Sequence, residues 1–262
     1  MKGVHVRLKK EIGISMLLSA VLLSGCGLGV QESVNREASS TLSPVTTQSE
    51  KEVNQITTES GQENKTWSSE NNEVKISPIK VNENGTPVVV SVEVNGVKKE
   101  FNWKFPEDPR VFYTDVTGDS IQEVIIITNL GRGTGTSVDE LHVLNSKDLS
   151  EISVPSYEEI VAEHIESQVT KNVDGNLVIK VKAQGKDYEF SYDVDPSVKV
   201  QDNLQFGGTV TYLIENEKIA LNIGGSIGTS PIYVSGFHIA FKFDSMKNEF
   251  IVDQIHVEPY SS

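Results

Sequence analysis

Val88-Val89-Val90-Ser91-Val92-Glu93-Val94-Asn95-Gly96-Val97-Lys98-Lys99-Glu100-Phe101-Asn102-Trp103 decides the fold class. β-branched residues dominate the first half, and apolar and polar residues alternate in the second. The Asn-Gly between them is the strongest short-range hairpin signal, because both central positions of a two-residue hairpin turn need positive φ. Downstream, Glu123-Val124-Ile125-Ile126-Ile127-Thr128 is continuously apolar, as a strand buried on both faces must be. Leu141-His142-Val143-Leu144 reads as its neighbour.

Working outward, further strands are predicted at Ser167–Lys171, Leu177–Lys182, Tyr188–Tyr192, Thr209–Glu215, Lys218–Ile223, Gly236–Phe243 and Glu249–Val257. The segment Asn172-Val173-Asp174-Gly175-Asn176 makes a hairpin turn. One helix is predicted from Ser156 to Ser167, with Tyr157, Ile160, Val161, His164 and Ile165 at helical spacing. Ser156 caps it, and Glu158 and Glu159 lie in its first turn. Alternating βαβ units are missing, which disfavours a parallel doubly wound sheet. The expected domain, residues 74–262, is mainly β, with antiparallel sheets in a sandwich or partial propeller-like arrangement and one short helix.

The N-terminal part is different material. Residues 1–10 carry Lys2, Arg7, Lys9 and Lys10 and no acid. An apolar run, Ile12 to Leu23, follows. At about 12 residues it is far short of the roughly 20 that span a bilayer, and with its basic flank it has the pattern of a secretory signal peptide. It ends in Leu23-Ser24-Gly25-Cys26, which resembles the bacterial lipobox. That resemblance implies cleavage after residue 25 and a diacylglyceryl group on Cys26, hence a lipid-anchored protein on the outer face of the cell membrane. Two acyl chains suffice for stable anchoring. Cys26 is the chain's single cysteine, which excludes an intrachain disulfide and a cysteine-rich zinc site.

Residues 26–73 are crowded with Ser, Thr, Glu, Gln and Asn, and Trp67 is their one aromatic. Such a stretch cannot bury enough apolar surface to offset its ordering entropy, so it reads as a disordered tether. Its roughly 47 residues would have an r.m.s. span of about 35–40 Å. The whole chain has a net charge of −14, and its first 25 residues hold four of the 23 basic residues but one of the 37 acids. The remainder is therefore more acidic still, which argues against nucleic acid and anionic lipid headgroups as partners.

One segment has a recognisable site pattern. In Tyr113-Thr114-Asp115-Val116-Thr117-Gly118-Asp119-Ser120-Ile121-Gln122-Glu123, side-chain oxygens recur at Asp115, Thr117, Asp119 and Glu123, and Ile121 could supply a backbone carbonyl. Oxygens so spaced on a tight loop suit a hard cation such as Ca2+. Equally, Asp and Thr side chains cap their own turns. The segment resembles the FG-GAP or VCBS-type repeat, whose Asp-rich loop leads into an apolar strand and often holds Ca2+. It departs from that pattern at Thr117 and Ser120, where an acid or amide and a glycine are usual. The wider layout, including Gly131-Arg132-Gly133-Thr134-Gly135 and Glu140-Leu141-His142-Val143-Leu144, is similar to a group of Gram-positive surface lipoproteins.

Enzyme signals are weak. Gly224-Gly225-Ser226-Ile227-Gly228 matches G-x-S-x-G, and Asp244, Asp253 and His256 follow, but a nucleophile elbow requires a helix next. Thr229-Ser230-Pro231 follows instead, so the glycines read as a loop. The glycine-rich 131–135 segment lacks a P-loop lysine and reads as a flexible turn. His142, His164, His238 and His256 show no zinc spacing, and His142 and His238 are expected to face solvent or be satisfied locally. The leading expectation is a non-enzymatic binding or accessory module, with Ca2+ as its candidate cofactor. An envelope polymer or a membrane protein is the candidate partner. The alternatives are a cell-envelope hydrolase and a structural subunit of a membrane complex.

Overall fold

The computed structural model describes residues 65–260. Cys26, the expected signal segment and most of the expected tether lie outside them. The described chain is built of antiparallel meanders, each a run of consecutive hairpins. The first comprises β1 (Trp67–Ser68), β2 (Val74–Val81), β3 (Pro87–Val94) and β4 (Val97–Phe101), paired in sequence order. The Asn95-Gly96 turn has φ of 51° and 79°, as a turn twisted to suit a right-handed hairpin requires. β1 lies within the expected tether. Trp67 docks edge-on against Phe105 with ring centroids 5.4 Å apart, so the fold begins before residue 74.

The second meander, β5 (Arg110–Thr114), β6 (Glu123–Gly133) and β7 (Thr136–Asn145), and the last, β11 (Thr209–Glu215), β12 (Lys218–Ile227), β13 (Ile232–Asp244) and β14 (Glu249–Pro259), join into one seven-stranded sheet. Its order is β14-β13-β12-β11-β7-β6-β5. The junction is a short parallel pairing of Thr209 and Val210 with Ser137 and Val138. Between these meanders the chain forms α1 (Tyr157–His164) and a three-stranded sheet of β8 (Ile165–Lys171), β9 (Leu177–Ala183) and β10 (Lys186–Tyr192).

The small sheets and the large sheet share apolar cores. Strand alternation sorts the side chains of β6. Val124 and Ile126 enter a core shared with β2–β4, Phe101, Trp103 and Phe105. Ile125 and Ile127 enter the larger core shared with α1, β8–β10 and β11–β14. β6 is thus buried on both faces, which explains its unbroken apolar run.

Two predicted boundaries shift. α1 has the expected Ser156 cap, reinforced because Glu159 accepts from the Ser156 backbone N–H in a capping box. It ends at His164 rather than Ser167, because Ile165 pairs with Ala183 and Val169 with Ile179. Pairing and burial of these β-branched residues override local helix spacing. The Gly224–Ile227 segment is strand, not loop. A side chain on Gly225 would bring Cβ within 2.7 Å of the Ser235 hydroxyl, so glycine there allows β12 and β13 to pack closely. Among the described residues no helix is long and apolar enough to cross a membrane.

Candidate functional site

The Asp-rich segment is the hairpin loop from β5 to β6. Asp115 lies just past β5, and Glu123 opens β6, paired between Thr114 and Asn145. The loop reverses direction through positive φ at Gly118 (79°) and Ser120 (68°). Asp115 stabilises this turn: one carboxylate oxygen accepts from the Gly118 N–H at 2.7 Å, the other from the Ser120 N–H at 2.8 Å. Asp119 Oδ1 accepts from the Ile121 N–H at 2.8 Å. Glu123 is buried at 3% exposure. Its Oε2 accepts from the N–H groups of Val116 and Thr117, at 3.0 and 3.3 Å, and its Oε1 faces the Thr117 hydroxyl at 3.4 Å.

The two carboxylates are shifted from their ordinary values in opposite directions. Burial pushes the Glu123 carboxyl above its ordinary value; the Val116 and Thr117 N–H groups oppose this, and the charges of Asp119 and Asp115 add to it. For Asp115, partial desolvation pushes upward but is outweighed. The N–H groups of Gly118, Ser120 and Asp119, with the Thr117 hydroxyl, hold it below its ordinary value. The loop's own donors therefore account for the spacing of Asp115, Thr117, Asp119 and Glu123. Among the described residues no group of three or more His, Cys, Asp or Glu side chains is placed to hold a metal ion. As folded, these oxygens accept from the loop's own N–H groups and cap the turn.

Ser226 is not gathered with its candidate partners. It is opposite Tyr233 on β13, whereas Asp244 ends that strand and His256 is opposite His238. At about 3.3 Å per residue, Asp244 is some 35 Å along the strand and His256 about 17 Å. The Ser226 hydroxyl donates to the Gln205 carbonyl at 3.2 Å, and Asp253 pairs with Lys242 at 3.0 Å. In the glycine-rich turn, Arg132 is held by Glu107 at 3.0 Å.

A second cluster was not legible in the sequence. On the face of β6–β7 that meets the first meander, Thr128 is opposite Glu140, and Ile126 is opposite His142. His142 stacks on Trp103 with centroids 3.9 Å apart, and Trp103 stacks on Phe101 at 4.2 Å. The expectation that His142 faces solvent or is satisfied locally is wrong. Its side chain is 9% exposed, and its Nε2, like the buried hydroxyl of Thr128, has no hydrogen-bond partner. His238 does match its expectation, with Nδ1 2.8 Å from Asn222 Oδ1. Glu140 and Trp103 line a cleft of about 550 Å³ with Asn82, Asn102, Lys104 and Leu130. The sequence signal was the i, i+2 spacing of Phe101 with Trp103 and of Glu140 with His142, which puts each pair on one strand face. Nothing local showed that the two faces meet.

Comparison with family models, with curated proteins and with solved structures finds no match to the chain.

Proposed function

We propose that this chain is a lipid-anchored module on the outer face of a Gram-positive cell membrane. It is held through Cys26 and binds or supports another envelope component, either a membrane protein or an envelope polymer. The observation that carries this reading is the ordered run of basic segment, short apolar segment and Leu23-Ser24-Gly25-Cys26, followed by a polar stretch that reaches the start of the fold near Trp67. Diacylation of Cys26 would give two buried chains, enough for stable anchoring. The acidity of the chain, at −14, supports a partner other than nucleic acid. The Asp115–Glu123 loop enters as a rigid hairpin end, and Ser226 as part of a strand.

Mass spectrometry of the membrane fraction tests the anchor. The expected N-terminus is Cys26 carrying a diacylglyceryl group, and Cys26→Ser should move the protein out of that pool. An unmodified Cys26 in membrane-bound protein would overturn the reading. Crosslinking in intact cells, followed by isolation of the lipidated chain, then distinguishes a protein partner from a polymer.

A further inference from the structure

The Phe101–Trp103–His142 stack bridges two layers: Phe101 and Trp103 belong to the first meander and its exit, His142 to β7. The ring planes are nearly parallel, at 18° and 19°. The two imidazole nitrogens face opposite carboxylates. Nε2 is 3.7 Å from Glu140 Oε2, and Nδ1 is 3.7 Å from Glu151 Oε1. Both separations exceed hydrogen-bond length, so the pair of carboxylates is poised beside the ring without being bound to it.

Charges reach the ring from each neighbouring element. Glu140 is on β7 itself, two residues away. Glu151 lies on the following segment, whose backbone bridges to Leu144. Lys99 of β4 stands at the far end of the stack, 5.4 Å over the Phe101 ring, and donates to the Leu149 carbonyl at 3.0 Å. Lys104, next after Trp103, lies on the cleft wall with Glu140. The two charges within 4 Å of the ring nitrogens are therefore negative, and Lys99 stands over Phe101 rather than His142. An indole face also attracts a cation.

We propose that His142 is a proton-operated switch that sets the position of Glu140 in the wall of the adjoining cleft. Histidine changes charge between about pH 5 and 8. A proton taken from solvent makes both ring nitrogens donors, each 3.7 Å from a carboxylate oxygen. Glu140 and Glu151 then close to hydrogen-bond length on either side, and Glu140 withdraws from the cleft toward the ring. When the proton leaves, the pull on Glu140 is lost and its carboxylate returns to the cleft.

The chain has two tryptophans, so Trp67→Phe in the full-length protein in detergent leaves Trp103 as the reporter. Its emission should fall reversibly as a one-proton transition between pH 8 and pH 5, because an imidazolium stacked on indole quenches it. Glu140→Gln should move the midpoint to lower pH, and His142→Phe should abolish the transition. Emission that does not change with pH, or an unchanged transition in His142→Phe, would overturn the proposal. If His142→Phe does not fold, NMR of the otherwise unmodified chain decides. The His142 imidazole and Trp103 indole signals must share one midpoint, and separate midpoints would overturn the proposal.

Discussion

The two faces of the β6–β7 hairpin carry polar residues one position apart in sequence, yet they follow opposite rules. On the face toward the larger core, Asn129, Asp139 and Arg110 saturate one another. Asp139 Oδ1 accepts from Asn129 Nδ2 at 2.9 Å, and its Oδ2 accepts from Arg110 Nη2 at 2.6 Å. Arg110 also donates to the Tyr212 carbonyl at 2.9 Å, and the Tyr212 N–H points to Asp139 at 3.3 Å. That network bridges β11 to β5–β7 just where the parallel pairing stops, after Val210 and Val138. Side chains there replace the missing backbone ladder. On the opposite face, Thr128 and His142 keep unused hydrogen-bonding atoms. A buried polar network that is fully satisfied specifies structure, whereas an unsatisfied group costs stability. The first face holds the two halves of the sheet together; the second has capacity left for a proton or a ligand.

The largest expected effect breaks the satisfied face. Arg110→Ala leaves the buried Asp139 carboxylate without its cation. Because the Arg110 side chain is 42% exposed, the loss should fall below that for a fully buried pair, at about 2–3 kcal/mol. Urea unfolding measures it, and a loss below about 0.5 kcal/mol, the usual scale of a surface change, would end the contrast. Next is Glu123→Ala, which orphans the Val116 and Thr117 N–H groups and should cost about 1–3 kcal/mol by the same measurement.

The opposed carboxylates of the β5–β6 loop give a pH test. Glu123 binds its proton more tightly folded than unfolded. Its contribution is therefore most favourable in acid and declines as pH rises from its ordinary 4.5 through the higher folded value. Asp115 does the reverse: its contribution is present above the ordinary 3.8 and is lost as pH falls below that toward the folded value. Compared with the parent chain, Glu123→Gln should be less damaging at pH 7 than at pH 4, and Asp115→Asn more damaging at pH 7 than below pH 3. The same trend in both variants would contradict their placement.

Smaller still is Thr128→Val, which removes an unpartnered hydroxyl at constant shape. It should change stability by less than about 1 kcal/mol, with a gain more natural than a loss. A loss comparable to Arg110→Ala would mean that both faces are satisfied networks. Last, millimolar Ca2+ should leave the melting temperature unchanged if the loop's carboxylates stay engaged by its own N–H groups, since only an ion that binds the folded state adds to its stability. An upward shift abolished in Asp119→Ala would show that the β5–β6 loop opens its oxygens to the ion.

Features set by neighbouring residues were readable in advance. Asn95-Gly96 dictated its turn through backbone sterics, Ser156 the start of its helix, and Val124–Ile127 a buried central strand. The candidate site was read less completely. The spacing of Asp115, Thr117, Asp119 and Glu123 identified a tight loop, but spacing alone does not say whether oxygens meet a cation or a backbone N–H. Ser226 carried a motif whose meaning depended on the turn around it, and β12 and β13 made it a strand.

What the sequence determined by itself is local: strands and hairpin turns, a capped helix, and a mainly β domain. Alternation tells which side chains share a face, because the strand period is two. It does not tell what covers that face. Tertiary structure alone decided that β11 lies parallel to β7, that Asp139 and Arg110 complete the junction, and that Trp103 arrives from another layer to stack on His142. Those contacts join residues dozens of positions apart, and no local rule of turn, cap or period reaches so far.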